Sequence, residues 1–219
     1  MLTLFMNSVS LFVLVACFVV SIISFFQKHS PLYLRLCPFY LLVTILVQQI
    51  GNYMSQHGIH NALLYNCYSI FEFIFYFFIL REIIQNKRIK SVILFILITY
   101  TLMALFNVFN SRTGSDFHSK TYAIGCIVIV ILCITYFVEL FQLPKAANLK
   151  NEPAFWICTA ILFSYVCTFP FWGLVNFMNT APKIIIKNLM TILVIINILS
   201  YSLFTIAFLC RIKIRKSTS

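Results

Sequence analysis

Seven long apolar stretches constrain this chain more than any other feature of its sequence. They cover about residues 8–26, 36–56, 62–80, 91–109, 121–141, 154–177 and 184–210. A helix of about 20 apolar residues is long enough to cross the hydrocarbon core of a bilayer. We therefore expect an all-α polytopic membrane protein, in which residues 1–219 form a single bundle of seven transmembrane helices.

The composition supports this class and excludes a sizeable water-soluble domain. The chain is 62% apolar and 10% charged, whereas soluble domains are about 45–50% apolar and about 25% charged. The net charge of +11 raises the question of a nucleic-acid partner. The basic residues fall between the apolar stretches, where they set orientation. We therefore predict the lipid bilayer as partner and no nucleic acid.

The distribution of Lys and Arg predicts the orientation of the bundle. With the N-terminus outside, twelve of the sixteen basic residues fall on the cytoplasmic side and four on the outer side. Cytoplasmic loops of membrane proteins carry such an excess of positive charge. Removing any one span would destroy this alternation, so the charges also support a count of seven. The prediction is an N-out, C-in bundle.

The third stretch carries an acidic residue, Glu72, at its middle. A charge at that depth costs about 2.5–3.5 kcal/mol on insertion scales. Tyr65, Tyr68, Ser69 and Tyr76 lie at helical spacing from Glu72, so they share one face of the helix with it. We expect this polar face to point into the interior of the bundle.

Other polar side chains fall in the predicted outer halves or the middle of the second, sixth and seventh spans. They are Gln49, Asn52 and Tyr53, then Thr168, Trp172 and Asn176, then Asn197 and Tyr201. Their depth predicts an outward-facing polar cavity with Glu72 at its floor. We predict ligand-binding or proton-handling roles for these eight residues and for Glu72, Tyr65, Tyr68 and Ser69. The alternative is that Glu72 only joins helices by hydrogen bonds, that the tyrosines only pack, and that the tryptophans only anchor the interface.

Several kinds of chemistry find no support in the sequence. The eight cysteines lie in apolar stretches without CxxC spacing, so we interpret them as packing residues. The four histidines lie in loops, which argues against a metal site. We found no nucleophile and base pair at matching depth, so we predict no enzyme activity, no metal and no cofactor. Glu139, near the inner end of the fifth span, is expected to have a structural role, either with its carboxylate extended to the membrane surface or paired with Lys145 or Arg81.

One run of residues resembles a known family. It comprises Gly51-Asn52-Tyr53, residues 57–66 (HGIHNALLYN), Tyr68-Ser69 and Glu72-Phe73. This run is similar to an uncharacterised family of small bacterial seven-helix integral membrane proteins, which have an Asn-rich turn before a helix with Tyr and a Glu-Phe pair. The resemblance covers mainly helices 2 and 3. It implies a bacterial cytoplasmic (inner) membrane location and singles out Glu72, but it implies no activity.

Two functions from different classes fit these patterns. The first is a receptor-like or sensory protein that binds a small or amphipathic ligand in the outer cavity and signals to a separate partner in the cytoplasm or the membrane. The second is a small proton-coupled transporter that uses Glu72 as its coupling carboxyl. Polar residues concentrate in the outer half of the predicted bundle, and this favours the receptor.

Overall fold

A computed structural model of the chain describes residues 2–27, 30–110, 117–142, 149–173 and 183–218. Within these ranges the protein forms seven α-helices and one short 3-10 turn, Leu149–Asn151. The helices are α1 (Leu2–Phe25), α2 (Leu32–Gln56), α3 (Ala62–Ile83), α4 (Lys87–Asn110), α5 (Ser119–Gln142), α6 (Pro153–Gly173) and α7 (Lys183–Thr218). Each helix is long and apolar enough to cross a membrane. The predicted all-α fold with seven helices of membrane-spanning length is thereby confirmed, whereas membrane insertion and orientation stay predictions.

Most helix ends lie within a few residues of the predicted spans, and the main exception is α7. The seventh span was predicted to end at residue 210, but α7 continues to Thr218 through the basic C-terminal residues. Its 36 residues correspond to about 54 Å of helix at about 1.5 Å per residue. This is well beyond the hydrocarbon thickness of about 30 Å, so α7 projects from one end of the bundle. The predicted end of the sixth span, residues 174–177, lies outside the described residues.

The helices are arranged in a closed ring with α4 at its edge. Around the ring, α1 packs between α7 and α2, α3 packs against α2 and α5, and α6 packs between α5 and α7. The fourth helix packs mainly against α3, and its buried residues are only Ile93, Tyr100 and Ala104. This agrees with the sequence of that span, residues 91–109, which is apolar and has no charged side chain.

Large apolar side chains cover the outside of the ring. Phe12, Phe95, Phe106 and Phe109 are each more than 60% exposed. Soluble monomers rarely expose contiguous apolar patches of more than a few hundred Å². A surface of this kind fits a bilayer, where the backbone hydrogen bonds of a spanning helix must be satisfied within the helix itself.

An aromatic cluster centred on Phe73 joins α3 to three other helices. The Phe73 side chain is fully buried, and its ring lies 5.0–5.6 Å from the rings of Tyr100, Tyr122 and Tyr165. These partners belong to α4, α5 and α6. Gly125 on α5 makes the approach feasible, because an added Cβ there would lie 2.6 Å from the Phe73 ring. Phe73 thus fixes the depth and rotation of its neighbour, Glu72.

Candidate functional site

The carboxyl of Glu72 lies at the middle of α3, about 15 Å from either end of the helix at about 1.5 Å per residue. On α2, Tyr40 and Thr44 are spaced by four residues, and on α3 Tyr68, Glu72 and Tyr76 have the same spacing. Residues four apart lie on the same face of a helix. These two faces meet where the antiparallel helices pack together. We call these five residues the tyrosine network.

The hydroxyl of Tyr40 is the hub of the tyrosine network. It donates to Glu72 Oε1 at 3.2 Å, shares a hydrogen bond of 2.8 Å with the Tyr76 hydroxyl, and accepts from the Tyr68 hydroxyl at 3.3 Å. The Tyr68 hydroxyl also lies 2.9 Å from Thr44 Oγ1. A chain of hydroxyl groups therefore converges on one carboxyl oxygen across the α2–α3 interface.

The remaining surroundings of Glu72 are aromatic. The Tyr40 ring stacks on Phe75 with a centroid separation of 4.3 Å, and Phe73 lies next to Glu72 in sequence. Within the described residues, the salt bridge present joins Arg81 to Glu82, and Glu72 has no basic partner. Its side chain is half-buried. An acid held only by phenol groups can accept a proton or a cationic group without first breaking a salt bridge.

Two tyrosines from the opposite side of the ring approach this centre. The hydroxyl of Tyr165 on α6 is buried near the Glu72 carboxyl, yet it has no hydrogen-bond partner of good geometry among the described residues. The hydroxyl of Tyr201 on α7 is buried beside the Gln48 side chain of α2. The polar centre thus receives groups from α2, α3, α6 and α7, the four helices expected to contribute.

Some predicted site residues on α2 and α3 lie outside the tyrosine network. Gln49, Asn52 and Tyr53 are exposed, Tyr53 by 60%. The side chain of Tyr65 packs over Gly51, where an added Cβ would collide with its hydroxyl. Ser69 donates to the carbonyl of Asn66 in its own helix at 2.8 Å. The structure therefore joins Glu72 and Tyr68 of the predicted set, and not these five residues.

The predicted residues on α6 and α7 are placed as follows. Thr168 is buried on α6, Asn197 is half-buried on α7, and Tyr201 is buried on α7. The side chain of Trp172 and the whole of Asn176 lie outside the described residues. Of this group, Tyr201 reaches the polar centre.

Sequence reasoning missed Tyr40 and Thr44, which contribute most of the contacts from α2. The available signal was the spacing of four that links Tyr40, Thr44 and Gln48. The second half of α2 also carries Gln49 and Asn52, which follow a neighbouring line along the helix. A shift of one residue turns a helix face by about 100°, so choosing Gln49 rather than Gln48 selected the wrong side for contacts with Glu72.

A second polar site lies at the other end of the ring, on the predicted cytoplasmic side. It is a pocket of about 570 Å³, and its lining includes Tyr33, Glu82, Tyr136, Glu139 and Glu152. We call it the inner pocket. Three of the five acidic residues of the chain therefore line one pocket. They come from the ends of α3 and α5 and from the residue before α6.

Glu139 has a structural role at the rim of the inner pocket. Its Oε2 and Oε1 atoms accept hydrogen bonds from the backbone N–H groups of Gln85 and Asn86, at 2.9 and 3.2 Å. The expected pairing with Arg81 is not what the structure shows, because Arg81 lies 3.6 Å from Glu82. Lys145, the other expected partner, lies outside the described residues. Glu139 thus fixes the short connection between α3 and α4.

An apolar layer separates the tyrosine network from the inner pocket. On α2 and α3 it lies between a pocket residue and a network residue, as between Tyr33 and Tyr40 on α2, and on α6 it lies between Ala154 and Tyr165. Its side chains are at most 2% exposed. They are Leu34 and Cys37 on α2, Phe77, Ile79 and Leu80 on α3, and Ile157, Cys158 and Ile161 on α6. The two polar sites are therefore not joined by fully buried polar side chains along these helices.

Metal and disulfide chemistry find no support in the described part of the chain. No group of three His, Cys, Asp or Glu side chains there is placed to hold a metal ion. All eight cysteines are free, and five of them are buried. This agrees with their interpretation as packing residues.

Comparison with known proteins gives no family for this chain. No family model matches it, and neither the curated proteins nor the solved structures include a significant match. The resemblance in helices 2 and 3 to small bacterial membrane proteins therefore stays a prediction.

Proposed function

We propose that this protein is a receptor-like or sensory protein of the bacterial inner membrane, with the tyrosine network as its ligand-binding or proton-handling centre. The ligand would be small or amphipathic and would enter an outward-facing cavity above Glu72. The observation that carries the proposal is a mid-helix carboxyl that accepts from the Tyr40 hydroxyl, which in turn bonds the hydroxyls of Tyr68 and Tyr76, and that has no basic partner among the described residues. Ionisable groups at this depth are costly, and they usually mark function.

The hub position of Tyr40 suggests how binding at Glu72 would change the bundle. A ligand group or a proton that takes the Glu72 oxygen from Tyr40 frees the Tyr40 O–H to donate to the Tyr76 hydroxyl, which reverses the hydrogen bond that these two hydroxyls share. These hydrogen bonds hold α2 against α3, so their exchange alters the contact between the two helices. A bound state differs from the free state only through such differential contacts.

The seventh helix offers a route for this change to leave the membrane. Tyr201 lies beside Gln48, on the α2 face that carries the network. About ten residues further along, α7 carries Arg211 and continues to Thr218. A shift of α2 is thereby coupled to a helical segment that projects from the predicted cytoplasmic end, where a separate signalling partner or anionic lipid would contact its basic residues.

The apolar layer favours a receptor over a transporter. A transport path needs polar lining on both sides of the central carboxyl, because ions and polar substrates are costly to move through hydrocarbon. Between the network and the inner pocket, the most deeply buried side chains on α2, α3 and α6 are apolar or Cys, each at most 2% exposed. A receptor needs no opening there.

One observation favours the alternative of a small proton-coupled transporter. The inner pocket places Glu82, Glu139 and Glu152 at the end opposite the predicted outer cavity, so polar groups exist on both sides of Glu72. Transport would require a second conformation in which the apolar layer parts. Glu72 would then be the coupling carboxyl.

Two assays on the purified full-length chain distinguish these functions. In the first, a library of small and amphipathic compounds is screened by thermal unfolding in detergent micelles. We expect at least one compound to raise the Tm of the wild type and of the Arg88→Gln control, which removes one exposed charge at the start of α4, but not that of Glu72→Gln. If every stabilising compound acted equally on Glu72→Gln, the receptor site would not be at Glu72.

The second assay measures proton flux in proteoliposomes that contain a pH-sensitive dye. The receptor proposal predicts no flux above protein-free vesicles, in either wild type or Glu72→Gln. Robust flux in the wild type that is lost in Glu72→Gln would instead establish the transporter.

A further inference from the structure

The inner pocket carries negative charge on a side of the molecule that is otherwise basic. Glu82, Glu139 and Glu152 line it, and no Lys, Arg or His side chain is among its described lining residues. Most of the basic residues of the chain are predicted to lie on this same side. Glu82 pairs with Arg81 at 3.6 Å, but Glu139 and Glu152 have no Lys or Arg within salt-bridge distance among the described residues. These two carboxylates leave a local negative potential in the pocket, which attracts cations.

One buried hydroxyl group in the inner pocket has no hydrogen-bond partner among the described residues. It belongs to Tyr136, which is 6% exposed. Tyr136 lines the pocket together with Glu152 and Tyr33. Buried polar groups in folded proteins are nearly always hydrogen-bonded, so an unpartnered one calls for an explanation. A ligand that brings a hydrogen-bond donor into the pocket would provide it.

The arrangement of the acidic side chains favours an organic cation over a metal ion. The described residues include no group of three acidic, His or Cys side chains close enough to hold a metal ion. Carboxylates that are spread around a pocket instead suit a cation with more than one charged group. Tyr33 and Tyr136 add aromatic rings, and ammonium groups bind favourably over such rings. The volume of about 570 Å³ is within the range of small-molecule sites, about 300–1,000 Å³.

We infer that the inner pocket binds a linear di- or polyamine from the cytoplasmic side, with one ammonium group at Glu152 and Tyr136 and another at Glu82. Glu139 keeps the rim in place through its bonds to the α3–α4 connection, and it adds to the negative potential. This site is separate from the tyrosine network, because the apolar layer lies between them. The inference therefore does not depend on what binds at Glu72.

The test is equilibrium binding of radiolabelled spermidine to the full-length protein in nanodiscs made of neutral phosphatidylcholine. We expect saturable binding that equal concentrations of Mg²⁺ do not displace. Glu152→Gln should weaken the binding at least tenfold, and Tyr136→Phe should weaken it severalfold, because the phenol hydroxyl is lost but the ring is kept. Glu72→Gln is the matched control, since it removes an acid from the other site and should leave spermidine affinity unchanged.

Each other outcome contradicts the inference. No saturable binding to the wild type, or equal binding to Glu152→Gln, would refute it. Equal displacement by Mg²⁺ would show a diffuse charge effect, and loss of binding in Glu72→Gln alone would move the amine site to the tyrosine network. Binding of a Lys-rich peptide in preference to spermidine would assign the pocket to a basic partner segment. If Glu152→Gln did not fold, Glu82→Gln carries the same test, because its side chain is one-third exposed.

Discussion

The hydrogen bonds of the Tyr40 hydroxyl allow a quantitative prediction of the effect of its removal on the stability of the bundle. The Tyr40→Phe substitution keeps the ring, and with it the stacking on Phe75, but it removes contacts to Glu72, Tyr76 and Tyr68. Hydrogen bonds between membrane helices average about 0.6 kcal/mol each. Losing three of them should lower the free energy of unfolding by about 2 kcal/mol.

Tyr136→Phe is the matched control for this prediction. Tyr136 is buried to a similar degree as Tyr40, at 6% and 3% exposed respectively, but its hydroxyl has no partner among the described residues. Removing an unpaired buried hydroxyl breaks no hydrogen bond and relieves a desolvation cost. We therefore expect this variant to be as stable as the wild type or slightly more stable.

The assay is unfolding of each purified variant by a denaturing detergent in mixed micelles, followed by circular dichroism. The wild type, Tyr40→Phe and Tyr136→Phe are measured under one set of conditions, so that differences in stability are compared and not absolute values. The reasoning would be refuted if Tyr40→Phe were no less stable than Tyr136→Phe. That result would mean that the Tyr40 hydroxyl has no net role in joining α2 to α3.

Three further predictions follow from other contacts. Gly125→Ala should lower the free energy of unfolding by about 1–3 kcal/mol, as overpacking does, because the added Cβ would press on the Phe73 ring. In the same unfolding assay, the double variant with Phe73→Leu should lose less stability than the sum of the two single variants. Glu139→Ala should lower the free energy of unfolding by about 1 kcal/mol. It should also speed hydrogen exchange at the backbone N–H groups of Gln85 and Asn86, measured by mass spectrometry, and unchanged exchange there would contradict the hydrogen bonds of Glu139. A membrane-impermeant maleimide applied to cells should label His60→Cys but not Arg88→Cys above the wild-type background, and the reverse pattern would overturn the predicted orientation.

The number and extent of the helices could be predicted from the sequence for a simple physical reason. A bilayer forces spanning segments to be apolar and helical, so each span is visible as a continuous run of residues. The helical extension of α7 to Thr218 was not predicted. Its basic residues mark the end of the apolar run, but they do not stop a helix, because Lys and Arg are good helix formers.

The interior of the bundle could be predicted only in part. Glu72 and Tyr68 were assigned to one polar face of α3, and this face does meet α2. The contacting residues of α2 were not identified, because its second half carries polar groups on more than one side. Gln48 and Gln49 are neighbours in sequence, and only the packing of α2 against α3 decides that the side with Tyr40 and Thr44 faces inward.

The inner pocket was not predicted, although its residues were visible. Glu82, Glu139 and Glu152 lie at the ends of three different helices and are far apart in sequence. Helix alternation places all three ends on one side of the bundle, which was a usable signal. The ring order that brings α3, α5 and the start of α6 around one pocket depends on the packing of all seven helices.

Cysteine accessibility at position 72 tests the central claim most directly, namely that Glu72 lies in a polar centre that is open to the outside. Cells with the Glu72→Cys variant are treated from the outside with a small, charged, membrane-impermeant thiosulfonate, and the wild type reports the background of the native cysteines. Our account predicts modification of position 72 from the outside. Modification only by a lipid-soluble reagent, or only from the cytoplasmic side, would contradict it.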